Sequence, residues 1–342
     1  MNYSSVKPLL LYTMTSGLGD YIIMGDLMRK VEKLVPRARC LIAHRGNPHV
    51  KLWPYNSLYE RFFNVYQPLQ ILKLILTLKK AKREGYTVFG LQMAPGSVQG
   101  FFFHLFLKKI KALDFIVDFN LINADIITPP NGNYILDLHL NQIGELFKIN
   151  IPKEFYHLEL PIKDLEFSSA SVKKDKNKVK IGIHPWSRRG NLPCFVWPFA
   201  KWLKVIKFLL QDKHNEITVF GKDKKFGKFK YYLQSKLGEV VKQIRFELCN
   251  SVTELVNIIK QMDLILSVNT SVVHIGYALN KKMIILCGPS LDIWTPKGKN
   301  ICIVRDEDAL FQGADKWVKD ERFSTLTRIK PLQVLNFLKK DF

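Results

Sequence analysis

The 342-residue sequence has few cysteines, and their positions exclude two classes of protein. There are five, an odd number, and none of them stands in a CxxC or Cys/His spacing that would hold a metal ion. We therefore expect neither a disulfide scaffold nor a zinc domain. The pattern is typical of free, mostly buried thiols in a reducing compartment.

Long apolar runs are also missing. No stretch reaches the roughly 18 residues that a transmembrane helix needs, and the nearest, 101–119, is interrupted by several charged residues. The apolar part of the N-terminus is too short for a signal peptide, so we expect a cytoplasmic protein. We expect Phe101–Lys111 to form a core helix rather than a membrane-facing patch, because its lysines are too irregularly spaced.

Acidic residues are scarce relative to basic ones. The chain has 30 Asp and Glu against 52 Lys and Arg, giving a net charge of +22. Such a charge favours acidic partners: nucleic acid, anionic lipid or phosphorylated small molecules. A hydrophobic content of 47% predicts a folded protein all the same, with room for one large domain or two medium ones.

Two common nucleotide-binding motifs are absent. There is no GxxxxGK[ST], which excludes a P-loop. Gly17 and Gly19 lie in a turn, but Ile22 occupies the position of the third glycine of a dinucleotide-binding fingerprint. A Rossmann NAD site is therefore not expected.

What the sequence does contain is a regular alternation of strands and helices. Apolar strands such as "LLLYTM", "TVFGLQ", "VKIGIHP" and "DLILSV" are each followed by a segment with helical periodicity. This alternation predicts parallel sheets with helices on both faces.

A charge run at Val172–Lys180 interrupts the pattern and reads as a solvated hinge or linker. The predicted architecture is α/β, with two Rossmann-like doubly wound domains that face each other across a cleft. The first covers 1–170, the second covers 171–325, and a C-terminal helix covers 326–342. Ligands of such sheets bind at the carboxyl ends of the strands.

The first candidate site is the glycine turn before the first helix, "SGLGD". Gly17 and Gly19 allow a ligand to approach the backbone closely. Asp20 follows at the helix start, where a carboxylate also stabilises the helix itself. A role in chemistry and a purely structural role are both open at this point.

The second candidate site follows the strand that ends at His184. The loop contains Ser187, Arg188 and Arg189, which could hold a phosphate through hydroxyl, backbone and guanidinium donors. A solvated basic loop explains the same residues. Pro198 then opens the next helix.

The third candidate site follows the strand that ends at Val268. Asn269 and Thr270 are both suitable N-caps, and the amides of the next helix start could hold a diphosphate. His274 lies one turn further along the same face, although a lone histidine there is commonly a core residue.

Together these stretches resemble the pattern of glycosyltransferase family 9, the heptosyltransferases of lipopolysaccharide core assembly. The family's G-x-G-D, its histidine loop before W-P, and its S-x-D-T-G-x-x-H helix start correspond to "GLGD", "IGIHPWSRRGNLPCFVWP" and "SVNTSVVHIGYAL". The three stretches stand in the family's order, and the similarity spans roughly 8–340. The resemblance implies the GT-B fold.

The resemblance also implies an activity: inverting, metal-independent transfer of a heptose from ADP-heptose to a lipopolysaccharide core or related glycan acceptor. Asp20 would be the general base, with Gly17 and Gly19 on the acceptor side. No cofactor is implied beyond the nucleotide-sugar co-substrate. The implied donor-binding residues are Ser187, Arg188, Arg189, Asn269, Thr270, Ser271 and His274.

The implied partners are the nucleotide-sugar and a phosphorylated glycolipid or glycan acceptor. The basic surface fits a peripheral contact with the inner face of the cytoplasmic membrane, and no nucleic acid is expected.

The sequence departs from the family pattern at three positions. Asn269 replaces an aspartate, Ser271 replaces a glycine, and Phe195 replaces a lysine. These changes leave the donor sugar open. The alternatives are a family member with another nucleotide-sugar or with a protein or natural-product acceptor, and a non-catalytic basic protein that binds RNA or membrane.

Overall fold

The structure is a computed structural model, and it describes ten stretches of the chain. These are 6–14, 17–44, 62–93, 98–119, 124–128, 130–160, 177–187, 196–288, 292–306 and 326–341. The chain divides into two compact units, Met1–Lys163 and Asp164–Phe342. The predicted domain boundary after residue 170 lies outside the described residues.

The first unit contains a six-stranded parallel sheet with the strand order β3-β2-β1-β4-β5-β6. Its strands are β1 Lys7–Met14, β2 Arg39–His44, β3 Phe62–Asn64, β4 Tyr86–Gln92, β5 Phe115–Asp118 and β6 Ile126–Ile127. Its described helices are α1 Leu18–Leu34, α2 Pro68–Arg83, α3 Val98–Lys109 and α4 Ile135–Phe147.

The sheet is buried on both faces, as its nearly continuous apolar strands predict. On β1, Leu9 and Leu11 face a core that also contains Leu74 and Leu78 of α2 and Leu107 of α3. On the other face α1 packs against α4. Parallel strands joined by right-handed crossovers require this division of the helices between the two faces.

A buried ion pair connects α1 to the end of the first unit. The Asp26 carboxylate is fully buried, and it lies 2.6 Å from Lys30 Nζ and 2.7 Å from Arg29 Nη2. It also accepts a hydrogen bond from the Glu159 N–H at 3.1 Å. Lys30 donates to the carbonyl of His157. These contacts hold the segment around residue 158 on α1.

The second unit repeats the architecture, with the strand order β12-β11-β10-β7-β8-β9. Its strands are β7 Val179–His184, β8 Asn215–Gly221, β9 Ile244–Leu248, β10 Leu264–Val268, β11 Lys282–Leu286 and β12 Ile301–Val304. Its described helices are α5 Phe199–Leu209, α6 Asp223–Leu237, α7 Val252–Gln261, α8 Ser271–Ala278 and α9 Pro331–Asp341.

The C-terminal helix α9 belongs to the core of the second unit. Val334 and Leu338 are buried in the same cluster as Trp197 and Trp202 of the α5 region. The indole of Trp197 donates a hydrogen bond to the carbonyl of Ile329 at 3.0 Å. The predicted C-terminal helix is therefore present and packs on this unit.

The prediction for Phe101–Lys111 is correct for only one face of the helix. Phe101, His104 and Leu107 of α3 are buried, as expected of a core helix. Phe102 and Phe106 contradict it, since they are 64% and 46% exposed. Positions 102 and 106 are one turn apart and point away from the sheet, so α3 is amphipathic with aromatic residues on its outer side.

Candidate functional site

The glycine turn of the first unit places Asp20 in the first turn of α1. Gly17 is the N-cap residue with an extended backbone, and its N–H donates to Asp20 Oδ2 at 3.1 Å. A Cβ on Gly17 would lie 3.0 Å from that oxygen, so glycine leaves room for the carboxylate. Gly19 is buried within the same turn. Asp20 therefore has the helix-start role that the sequence left open, and this contact does not exclude a chemical one.

The negative charge of Asp20 affects the neighbouring side chain, Tyr21. The Tyr21 ring packs edge-on against the imidazole of His44 at the end of β2, with 6.1 Å between ring centroids. Burial, and then the negative charge of Asp20, raise the pKa of the Tyr21 phenol well above its ordinary value. Tyr21 therefore stays protonated at neutral pH.

Asp20 lies at the switch point of its sheet. From β1 the chain continues to β2 on one side, and from β4 it continues to β5 on the other. Ligands of open parallel sheets bind at the carboxyl edge where the strand order reverses in this way. Thr13 of β1 pairs with Gln92 of β4 at that edge.

Gln92 is a polar residue of this crevice that the sequence analysis passed over. Its side chain is 2% exposed, and neither atom of its amide has a hydrogen-bond partner among the described residues. Its Oε1 and the Thr13 hydroxyl converge on Gly100, where a Cβ would lie 3.0 and 2.9 Å from them. A buried amide without a partner can bind a polar ligand group, such as a sugar hydroxyl. Its position at a strand end was the available signal.

The second unit has its own switch point, between β7 and β10. The chain leaves β7 towards β8 and leaves β10 towards β11, and Ser267 of β10 pairs with His184 of β7. Ser187 follows β7 and Asn269 follows β10, so the structure brings both residues to one edge of the sheet. Arg188, Arg189 and Phe195 lie outside the described residues.

The loop after β7 is held against the end of β8. The Trp186 ring packs over Gly221, where a Cβ would lie 2.1 Å from Cζ2 of the indole. Ser187 is buried, and its carbonyl accepts a hydrogen bond from Lys225 Nζ of α6 at 3.0 Å. Lys225 therefore brings a positive charge to this loop. Lys225 was not among the predicted site residues, because α6 was not predicted from the sequence.

The start of α8 is shaped by two side chains. Thr270 is the N-cap, and its hydroxyl accepts from the Val272 N–H at 3.4 Å. Asn269 donates through Nδ2 to the hydroxyl of Thr295, which is fully buried, at 2.8 Å. Ser271 is the first residue of the helix. The Val273 N–H donates to the Thr270 carbonyl at 3.1 Å, so an anion at this helix start would meet the Ser271 N–H and the positive end of the helix dipole.

His274 lies one turn into α8 and is 6% exposed. Burial lowers its pKa to about 4, so the imidazole is neutral at pH 7. It therefore brings no positive charge to a diphosphate at neutral pH. A contact with the donor would have to be a neutral hydrogen bond, and the donor role of His274 stays a prediction.

The described parts of the chain contain neither a cluster of metal ligands nor a membrane-spanning helix. No group of three or more His, Cys, Asp and Glu side chains there could hold a metal ion. None of the helices described is both long and apolar enough to cross a bilayer.

Comparison with known families gives one match, and it covers more than half of the chain. The model of glycosyltransferase family 9 (heptosyltransferase) matches residues 139–312, which include Ser187 and the start of α8. No curated protein matches the sequence.

Several solved structures share the fold over almost the whole chain. A glycosyl transferase family 9 protein from Veillonella parvula has a TM-score of 0.64 at 15% identity, covering 98% of this chain and 97% of that one. The ADP-heptose lps heptosyltransferase II of E. coli has 0.61 at 16%, covering 97% and 98%. E. coli heptosyltransferase WaaC with ADP-2-deoxy-2-fluoro heptose has 0.59 at 12%, covering 98% and 100%.

At these identities the structural likeness establishes the fold, two Rossmann-like domains of the GT-B type. The family match adds the activity. The chain belongs to glycosyltransferase family 9 and is a divergent glycosyltransferase of the heptosyltransferase family.

Proposed function

We propose that this glycosyltransferase moves a heptose from ADP-heptose to a lipopolysaccharide core or a related glycan acceptor, with inversion at the anomeric carbon and without a metal ion. One observation carries the proposal: each unit has polar residues at, or just after, the carboxyl ends of both strands of its switch point. These are Asp20 and Gln92 in the first unit and Ser187 and Asn269 in the second. Membership of an enzyme family removes the reason to retain a non-catalytic binding protein as an alternative.

In the proposed reaction Asp20 is the general base. Its carboxylate takes the proton of an acceptor hydroxyl as the hydroxyl oxygen attacks the anomeric carbon of the donor. The bond from that carbon to the diphosphate breaks, and the diphosphate leaves with the electron pair. Attack from the side opposite the leaving group inverts the configuration. Gly17 and Gly19 leave space for the acceptor beside the carboxylate.

The leaving diphosphate is proposed to bind at the start of α8. The Ser271 N–H, together with the helix dipole, stabilises the developing negative charge. The positive charge of Lys225, which contacts the carbonyl of Ser187, also stabilises this negative charge. ADP as the nucleotide is supported by the two similar E. coli structures, an ADP-heptose lps heptosyltransferase II and heptosyltransferase WaaC with ADP-2-deoxy-2-fluoro heptose.

A second candidate is a family member with another nucleotide-sugar donor. The observation that favours it is Asn269, whose amide is used to donate to Thr295. An aspartate at this position, as in the family pattern, would be an acceptor only, so it could not make this hydrogen bond to the Thr295 hydroxyl in the same sense. The two candidates differ in the donor and not in the chemistry.

Nucleotide binding separates them. We expect ADP to raise the melting temperature by roughly 4–7 °C at a hundredfold excess over its dissociation constant, with smaller shifts for GDP and UDP. ADP-heptose should then be consumed in the presence of EDTA. A larger shift with GDP or UDP would reject the ADP donor in favour of the second candidate. Asn269→Asp, compared with wild type on the same panel, shows whether this residue sets the choice.

A further inference from the structure

The outer side of α2 carries a stripe of exposed residues that is mainly apolar in the first half of the helix and basic in the second. Its first half exposes mainly apolar side chains: Leu69, Leu72 and Leu76 are 80%, 53% and 59% exposed, with one exposed lysine, Lys73, among them. Its second half is basic, and the exposed residues that continue the stripe are Lys79, Lys80 and Arg83. These positions are three or four residues apart, so they lie on one side of the helix.

The neighbouring helix α3 repeats this division. Phe102 and Phe106 are exposed in its second and third turns, and exposed Lys109 ends the same stripe. Together with Tyr66, which precedes α2, the two helices hold most of the exposed large apolar side chains among the described residues. These are Tyr66, Leu69, Leu72, Leu76, Phe102 and Phe106, out of eleven.

The two helices form one surface. Both bury their inner sides in the same core cluster on one face of the first sheet. Lys82 of α2 donates to the carbonyl of Lys111, just after α3, at 3.2 Å. It also pairs with Asp114 at 2.5 Å. We call the exposed side of α2 and α3, with Tyr66, the α2–α3 face.

Charge and direction distinguish this face from an ordinary solvated surface. Neither helix contains an Asp or Glu, while together they hold seven Lys and Arg. Both helices follow parallel strands, so both begin at the carboxyl edge of the sheet. That is also the edge where α1 begins and where Asp20 lies.

We propose that the α2–α3 face docks on an anionic lipid bilayer, with its leucine and phenylalanine side chains in the interface and its basic ends on the lipid phosphates. Burying exposed apolar side chains drives such binding, and the cations add attraction to an anionic surface. The proposal rests on the proposed function: a bilayer at this edge would present a lipid-anchored acceptor on the side of the sheet where Asp20 lies.

A bilayer fits the face better than the two other kinds of partner. Nucleic acid explains the cations, yet it gives no reason for six exposed apolar side chains beside them. A protein partner explains the apolar patch, but interface cores are depleted in lysine, and this patch is continuous with a lysine-rich end. An interfacial membrane helix has both features.

Co-sedimentation with vesicles tests the docking. We expect the wild-type protein to bind vesicles of phosphatidylglycerol and phosphatidylethanolamine and to leave neutral phosphatidylcholine vesicles largely unbound. The triple variant Leu69→Gln/Leu72→Gln/Phe102→Gln should bind anionic vesicles at least about tenfold more weakly. Lys79→Gln/Lys80→Gln should weaken binding to anionic vesicles by about tenfold. High salt should weaken the binding of the wild type to a similar extent.

Matched controls come from exposed residues of the second unit. Tyr231→Gln/Leu332→Gln removes exposed apolar side chains, and Lys228→Gln/Lys236→Gln removes exposed charges. Both should bind like wild type. Equal binding of vesicles by the wild type and all variants overturns the proposal. The proposal also fails if the wild type binds RNA but no vesicles and Lys79→Gln/Lys80→Gln loses the RNA binding.

The shift in melting temperature with ADP separates failure of the docking from failure of the proposed function. None of the substitutions touches the switch-point residues, so every variant should show the wild-type shift and folded circular dichroism. If ADP-heptose is not consumed but vesicles are bound as described, the proposed function fails and the docking stands.

Discussion

Asp20→Asn is expected to lower kcat for sugar transfer by about 10²–10⁴-fold, the usual contribution of a general base. The amide cannot take the proton of the acceptor hydroxyl. Its carbonyl oxygen can still accept the hydrogen bond from the Gly17 N–H, so the start of α1 should remain intact. ADP binding should be unchanged, because the residue acts on the acceptor. The measurement is ADP release from ADP-heptose with acceptor, beside an ADP titration.

Asp137→Asn is the matched control for this variant. Asp137 is also a first-turn carboxylate, in α4, and its oxygens accept backbone hydrogen bonds from the residues before it. It should keep wild-type kcat. If Asp20→Asn also keeps wild-type kcat, Asp20 serves only the helix start and is not the base.

The second large effect concerns stability in acid. His104 of α3 is fully buried, and neither ring nitrogen has a hydrogen-bond partner among the described residues. Burial lowers its pKa to about 3 from an ordinary 6.5. Below pH 6.5 the unfolded chain therefore takes up a proton that the folded chain does not. The contribution of His104 to the stability of the first unit should be constant above pH 6.5 and should become increasingly unfavourable as the pH falls towards 3.

His104→Leu removes this titration. From the two pKa values, the wild type should lose about 2 kcal/mol between pH 7 and pH 5 through His104, and the variant should lack that loss. The substitution also removes two buried polar atoms without partners, so the variant should be at least as stable at pH 7. Urea titrations monitored through hydrogen exchange of the α3 amides measure the free energy of unfolding of the first unit alone.

His214→Gln provides the control, because it removes an exposed histidine of the second unit and leaves the core of the first unit untouched. An identical loss of stability in wild type and His104→Leu would show that His104 does not contribute to acid sensitivity. His139, whose pKa burial lowers to about 4, would then be the next residue to test.

The sequence predicted the central strands because each is an apolar run that ends in a turn motif. β1, β4, β7 and β10 were found within two residues of their bounds. The edge strands β3 and β6 have three and two residues, too few for any periodicity to show. α6 is rich in lysine and has glycine at 227, which obscures its apolar side.

The candidate site was predictable to the extent that it follows strand ends. Asp20, Ser187 and Thr270 all stand just after a predicted strand, and the structure confirms those strands. Gln92 was missed because its significance depends on the pairing of β1 with β4, which distant parts of the chain determine. Lys225 reaches the Ser187 loop from another helix for the same reason.

The central claim is that the donor diphosphate binds at the switch point of the second sheet. A crystal structure with ADP tests this most directly. We expect a diphosphate oxygen within hydrogen-bond distance of the Ser271 N–H at the start of α8, and the diphosphate close to Ser187. ADP bound instead at the β1–β4 crevice beside Asp20 would contradict the assignment of donor and acceptor sides.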